Sequence, residues 1–207
     1  MLRNILIIGF GNIGYRHYQS LSTNNIFKTY VVDKKKYQSN KFAEKINQSI
    51  YFNKIIDLKI KEIEILIIST DVKSRIKNLK ECIKKFSIKN VILEKIVFNN
   101  ISEYRFALGL IKNKRISNIF LNYPRETIKF YKNLKIEIQT PIKSIIVKGN
   151  RWNMGSNFMH FIYLFKYLTS ANKIKILDVN THKKIYKSKR LGYHEIRGSI
   201  LLQNEKK

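Results

Sequence analysis

The chain has 207 residues, 44% of them hydrophobic, with 41 Lys and Arg against 14 Asp and Glu for a formal charge of +27. That length holds one full domain plus part of another, and no apolar run is long enough to span a membrane. One cysteine, Cys82, excludes an internal disulfide and a cysteine-built zinc site, and no metal site is expected.

The start, Met1-Leu2-Arg3-Asn4, leads straight into an apolar run over residues 5–8, so no signal peptide is expected. That run reads as a buried strand. It opens into Gly9-Phe10-Gly11-Asn12-Ile13-Gly14, a G-x-G-x-x-G pattern, and then into a predicted helix over residues 12–22 with Asn24-Asn25 as its exit. In this context the first glycine permits the tight turn, and the second has no Cβ to block a pyrophosphate. The third lets the helix pack closely on the sheet, while free amides at the helix start face the anion. A second strand over residues 30–33 ends in Asp33, about 20 residues beyond the glycines, where a ribose hydroxyl would be held. Residues 12–14 and Asp33 therefore join Gly9 and Gly11 as expected dinucleotide contacts.

Residues 37–48 are predicted as a polar-faced helix and residues 50–52 as a short third strand. Residues 63–69 carry the continuous apolar run of a strand covered on both faces. Asp71 is placed to cap a helix over residues 72–86, with Ile76, Leu79 and Ile83 at helical spacing. A strand over residues 91–93 ends at Glu94-Lys95, a helix follows over 101–113, and residues 116–121 are strand-like. Alternating strands and helices predict a parallel sheet with right-handed crossovers.

Beyond Asn122 the pattern changes. A helix is predicted over residues 125–138 after Pro124, a strand over 144–149, and an amphipathic helix over 157–169. Strands over 174–179 and 194–202 then follow with no helix between them. The expected fold is α/β: a Rossmann, doubly wound parallel sheet over residues 1–120, followed by a smaller, incomplete α+β domain over residues 121–207 for substrate or oligomer contacts.

The lysines are spread from Lys28 to Lys207 without a dense arginine-rich stripe, and Asn, Ile, Tyr and Phe are abundant beside them. AT-rich codons favour that whole set, so no specific nucleic-acid partner is expected. Salt-sensitive adsorption to polyanions is, and the charge suits steering of an anionic cofactor or substrate. The neighbours of Cys82 suggest a helix facing the sheet, where the thiol is an inert small hydrophobe. A cytoplasmic setting is expected.

Four segments, in order, carry a resemblance: the glycine pattern extended by Arg16-His17, Ser69-Thr70, Glu94-Lys95, and Gly149-Asn150-Arg151-Trp152 through Asn157 and His160. Together they resemble the Gfo/Idh/MocA family of nicotinamide-dependent oxidoreductases, which act mostly on sugars, polyols and their derivatives. Asn122-Tyr123-Pro124-Arg125 resembles a branch associated with bacterial surface-polysaccharide and sugar-nucleotide pathways. The resemblance implies an oxidoreductase using NAD on a sugar or sugar-nucleotide derivative, with a homo-oligomer left open. Asp33 favours NAD because a carboxylate repels a 2′-phosphate, but Lys34, Lys35 and Lys36 follow at once and NADP is not excluded.

The resemblance implies that Lys95, at a strand's carboxyl end, hydrogen-bonds the reacting hydroxyl, with His160 as general acid or base. Read without it, Lys95 is a surface lysine and His160 a core or surface histidine. Ser69 and Thr70 should border the nicotinamide ribose. Glu94 orients Lys95, contacts the nicotinamide side or is a simple strand-end acid; Arg16 and His17 line the cofactor edge, or His17 only packs on the sheet. Asn122, Arg125, Trp152 and Asn157 are the expected substrate contacts, Arg125 suiting a carboxylate or phosphate and Trp152 fitting a core position equally well. Three features depart from the family. Ile96 stands where it usually has proline, Arg75 where a histidine is common, and Tyr163 where an acid is common. The strand-like end of the chain leads us to expect a truncated copy of a longer enzyme.

Overall fold

A computed structural model describes residues 2–142, 144–149, 153–188 and 192–205. The chain divides into two compact units, residues 1–122 and 123–207.

The first unit is built on strands β1 (Arg3–Ile8), β2 (Phe27–Val32), β3 (Tyr51–Phe52), β4 (Glu62–Ile68), β5 (Ser87–Leu93) and β6 (Asn118–Leu121). They form one parallel sheet in the order β3-β2-β1-β4-β5-β6. Order reverses between β1 and β4, and open α/β sheets bind ligands at such a switch point, beyond the strands' carboxyl ends. Alternate side chains of β1 feed two cores. Leu6 and Ile8 join Leu66, Ile68, Leu79, Cys82, Val91 and Leu93 on one face. Ile5 and Ile7 join Phe10, Val31, Ala43 and Ile67 on the other. A period of two along a strand requires that division, and it is why these strands read as unbroken apolar runs.

Helices α1 (Asn12–Ser22), α2 (Val72–Lys85) and α3 (Ile101–Lys112) run where expected. The Asp71 carboxylate accepts from Ser74 N at 3.0 Å and caps α2. Asn100 Oδ1 does the same for α3 through Glu103 N at 3.1 Å, and Glu103 Oε2 accepts from Asn99 N in return. β5 begins four residues earlier than the apolar run suggests because Ser87–Asn90 continue its ladder with β4, where Lys89 pairs with Glu64 at 2.8 Å.

The helix expected over residues 37–48 does not form; three short 3-10 turns replace it, Tyr37–Ser39, Ala43–Lys45 and Gln48–Ile50. Asn40 is the cause. Its buried side chain donates to Phe10 O at 3.1 Å and to Tyr51 Oη at 3.2 Å and accepts from Phe42 N at 3.1 Å, drawing the backbone out of a helical ladder.

The second unit holds α4 (Lys129–Glu137), α5 (Met154–Thr169) and strands β7 (Lys173–Thr181), β8 (Tyr186–Lys187), β9 (His194–Glu195) and β10 (Gly198–Glu205). β7 pairs antiparallel with β10, and β8 with β9. Three expectations need correction. The single strand expected over residues 194–202 is two, β9 and β10, which pair with different partners across the break at residues 196–197. The segment 125–138 is not one helix: Pro124–Thr127 forms a 3-10 turn and Ile128, with extended backbone, separates it from α4. Residues 144–149 form no strand, because they meet no partner ladder among the described residues and β propensity alone does not hold an extended segment. Ile176, Val179 and Leu201 of the β7–β10 pair are exposed.

Candidate functional site

The glycine loop joins β1 to α1 and is fixed by backbone bonds to both neighbouring strands. Gly9 N donates to Val32 O at 2.8 Å, and Ser69 N donates to Ile8 O at 2.9 Å. Gly9 has φ +91°, a region that favours glycine, and a Cβ there would lie 2.8 Å from the Thr70 methyl. At Gly14 the demand is close approach: a Cβ would sit 2.0 Å from Gly9 O and 3.1 Å from Ser69 Oγ. Ser69 Oγ donates to that same Gly9 oxygen at 3.0 Å, so β4 and α1 both bear on the loop.

Asp33, just past β2, ties the loop from the other side. Its Oδ2 accepts from Phe10 N at 2.5 Å and its Oδ1 from Lys35 N at 2.9 Å. A carboxylate offers about four acceptor positions, so two amides leave room for ribose hydroxyls.

Above these residues is a cleft of about 440 Å³ within the first unit, lined by Gly9, Gly11, Asp33, Ser69 and Thr70 among others. Five expected cofactor residues thus share one cavity. Asn12 and Ile13 are exposed on the first turn of α1 and Gly14 is buried beneath the loop, so these three contribute helix-start backbone. Glu94 does not line the cleft. Lys34, Lys35, Asn53 and Lys54 do, beside Asp33, and sequence reasoning missed the last two because the turn after β3 carries no motif.

A dinucleotide pyrophosphate fits this loop. A Cβ on Gly11 would meet nothing within 4 Å, so the space over the helix start is open to a ligand. The amides of a helix's first turn have no acceptor within the helix and carry its positive dipole end. Gly11 caps α1 without a side chain that would compete for them.

Glu94 and Lys95 follow β5. Glu94 Oε1 lies 2.8 Å from His17 Nε2 and accepts from Asn122 Nδ2 at 2.6 Å. An ionised carboxylate only accepts, so the His17 tautomer that suits this contact carries its proton on Nε2. His17 therefore reaches from α1 to the end of β5, and Asn122 braces the same carboxylate from the end of β6. Lys95 is half-buried, and the Lys95–Ile96 peptide is cis.

Arg75 received no structural role from its sequence position, yet it is the buried guanidinium of the first unit, 2% exposed. Its Nη1 donates to Glu94 O at 2.6 Å, to Val97 O at 2.9 Å and to Ile96 O, and its Nη2 donates to Thr70 O at 2.6 Å. The signal for it was present: Arg75, Leu79 and Cys82 form the buried stripe of α2, so one charged residue interrupts an otherwise apolar face.

In the second unit, His160 and Asn157 lie on α5. The His160 ring meets the edge of Tyr123 at 5.6 Å and 89°, and Tyr123 stacks on Tyr163 at 5.1 Å. Burial, followed by the charge of Glu126, pushes the Tyr163 phenol above its ordinary pKa, and its hydroxyl lies 3.4 Å from Glu126 Oε1. Asn157 Nδ2 donates to Asn153 O at 3.2 Å. Arg125, expected to meet an anion, has its guanidinium 4.4 Å from the Phe161 ring centre and donates to Tyr131 Oη at 3.0 Å. Trp152 lies outside the described residues. Among the described residues no group of three or more His, Cys, Asp or Glu gathers to hold a metal, and no helix is long and apolar enough to cross a membrane.

Residues 3–116 match the family model GFO_IDH_MocA, described as an oxidoreductase family with an NAD-binding Rossmann fold. Among curated proteins none matches the chain by sequence. Solved structures do. A scyllo-inositol dehydrogenase from Lactobacillus casei, with bound NAD(H) and scyllo-inositol, superposes with TM-score 0.67 at 15% identity over 89% of this chain and 61% of its own. For a myo-inositol 2-dehydrogenase from Lactobacillus plantarum the TM-score is 0.63 at 15% identity, over 84% and 58% of the two chains. An NAD-binding protein from Listeria innocua gives 0.64 at 15%, over 88% and 59%. At such identity the likeness is one of fold. The chain spans about 60% of the length of these solved chains.

Proposed function

Because the chain belongs to the Gfo/Idh/MocA oxidoreductase family, we propose that it transfers a hydride between NAD and a CH–OH carbon of a sugar, polyol or sugar-nucleotide derivative. The observation that supports this most directly is the cleft shared by Gly9, Gly11, Asp33, Ser69 and Thr70 at the switch point of the sheet. The first unit is the dinucleotide-binding domain, and the second supplies substrate contacts and an oligomer surface.

Bound there, the nicotinamide supplies the two-electron chemistry. The chain's own residues do the rest. Amides at the start of α1 hold the pyrophosphate, Asp33 accepts from the adenosine ribose, and Ser69 and Thr70 border the second ribose. Lys95 hydrogen-bonds the reacting hydroxyl, and His160 exchanges its proton with the substrate oxygen. Glu94, engaged by His17 and Asn122, orients the segment that carries Lys95; Asn122 thereby acts through Glu94. Asn157, Arg125 and Trp152 complete the substrate side. Asp33 gives NAD the preference, and Lys34, Lys35 and Lys54 in the same cleft keep NADP within reach. Cytoplasmic sugar-nucleotide or surface-polysaccharide metabolism is the setting that the Asn122-Tyr123-Pro124-Arg125 resemblance ranks first.

A second reading is a dinucleotide-binding protein without turnover. Tyr163 favours it, because a phenol of raised pKa set against Glu126 replaces the acid common near the active-site histidine. One experiment separates the two. NADH fluorescence titration is followed by a screen of inositols and nucleotide-sugars with NAD, on the wild type and Lys95→Ala. Turnover lost in Lys95→Ala with NADH affinity kept supports the oxidoreductase; full turnover in that variant removes Lys95 from its role. Tight NADH binding without turnover of any substrate supports the silent binder.

A further inference from the structure

We propose that Arg75 is a positioning residue for Lys95, its guanidinium clamping both the backbone around Lys95 and the loop after β4, so that the lysine is aimed at the reacting hydroxyl beside the bound nicotinamide. The inference rests on the reading of Lys95 given above. The geometry is specific to this side chain. Lys95 sits between two residues whose carbonyls, Glu94 and Ile96, both lie in hydrogen-bond reach of Arg75 Nη1, and Val97 O, at 2.9 Å, shares the same two N–H groups. The other arm of the fork, Nη2, donates to Thr70 O at 2.6 Å. Thr70 lines the cleft, so one guanidinium fixes the distance between the cofactor wall and the lysine's backbone.

Arginine suits this task for a physical reason. Its planar fork presents donors in fixed directions, and charge-assisted bonds are the strong ones. A buried cation is costly to hold, and removing its acceptors or its donors leaves polar groups stranded in a low-dielectric interior. The clamp is therefore stiff. Glu94 is held separately, through its side chain, by His17 and Asn122. Side-chain bracing on Glu94 and carbonyl bracing on Glu94, Ile96 and Val97 restrict the backbone that carries Lys95.

The test reads the lysine rather than turnover, so it needs no known substrate. Acetylation of each lysine by an amine-reactive ester is followed by mass spectrometry, with and without saturating NAD, for wild type, Arg75→Ala and Arg75→Lys. NADH titration on each variant confirms cofactor binding. In the wild type, NAD is expected to slow modification of Lys95 by about tenfold or more, because the nicotinamide beside the reacting hydroxyl covers the lysine. In Arg75→Ala that protection falls to near onefold while NAD still binds, and millimolar guanidinium, refilling the vacated pocket, restores it. Arg75→Lys, with a point charge in place of the fork, keeps part of it and serves where the alanine variant does not fold. NAD protection of Lys95 that is equal in wild type and both variants overturns the clamp. If bound NAD leaves Lys95 unprotected in the wild type, the reading of Lys95 fails instead, and the clamp has nothing to aim.

Discussion

Gly11 and Gly14 separate binding from folding, and substituting each makes opposite demands on the protein. Gly11 has φ −86° and ψ −162°, extended backbone that any residue adopts, and a Cβ there meets nothing within 4 Å. Alanine is a poorer N-cap than glycine by a few tenths to about 1 kcal/mol, while narrowing of the unfolded ensemble returns about 0.4–1 kcal/mol. The two nearly cancel, so Gly11→Ala should melt within a few degrees of wild type. Its methyl group, however, stands in the space assigned to the pyrophosphate. Displacing the anion from one charge-assisted amide bond costs about 1.5–3 kcal/mol, roughly 10- to 100-fold in NADH affinity. Gly14→Ala is the converse: a Cβ 2.0 Å from Gly9 O forces backbone apart, and overpacking of about 1–3 kcal/mol lowers the melting temperature by roughly 2–4 °C per kcal/mol in a chain of this length. The assay is NADH fluorescence titration beside thermal melting of both variants. Undiminished NADH affinity in Gly11→Ala, or in the bulkier Gly11→Val, would refute the assignment of the pyrophosphate to this loop.

Asp33→Asn should weaken NADH binding and strengthen NADPH binding, because it removes the repulsion of a 2′-phosphate while Lys34, Lys35 and Lys54 remain in the cleft; parallel titrations at one ionic strength check this, and an unchanged ratio contradicts the role of Asp33. Asp71→Ala should cost about 1 kcal/mol through loss of the α2 cap, read from urea midpoints. Burial pushes the Asp71 carboxyl up, but the Ser74 amide and then the Ser74 hydroxyl outweigh it and hold the pKa below its ordinary value. Its stabilisation is thus present above the unfolded pKa of about 3.9 and lost as pH falls through the folded one, so wild type and variant should converge in acid.

The first unit was legible in its strands because both faces of the sheet are covered, and continuous apolar runs such as Ile65-Leu66-Ile67-Ile68 then have no helical rival of that length. Caps were legible for the same local reason: Asp71 acts within three residues. What failed was non-local. Asn40 sits in a stretch of acceptable helix formers, and its bonds to Phe10 O, thirty residues earlier, and to Tyr51 Oη lie outside any local window that would show why the backbone there breaks into turns. Residues 144–149 have strand-like composition, and a strand is defined by a neighbour that no sequence window contains. Arg125 looked like an anion site because arginine often is one; the aromatic faces of Phe161 and Tyr131 that surround it come from residues whose own pattern reads as helix interior.

Lys95, the proposed site lysine, shows how such a residue would depend on elements that carry no motif. The resemblance pointed to Glu94-Lys95, but a lysine on a strand end has a long, mobile stem and little intrinsic direction. Direction comes from what holds its backbone. His17 on α1 and Asn122 after β6 take one oxygen of Glu94, and Arg75 on α2 takes the flanking carbonyls. Those three side chains come from three different elements of the first unit, and each reaches the loop after β5 because the parallel sheet brings its neighbours' carboxyl ends to one edge. The same edge carries the glycine loop and Asp33. Under the proposed clamp, a change at Arg75 should disturb the lysine more than the cradle, because its Nη1 meets the Glu94, Ile96 and Val97 carbonyls around Lys95 while its Nη2 meets Thr70 O on the cradle side.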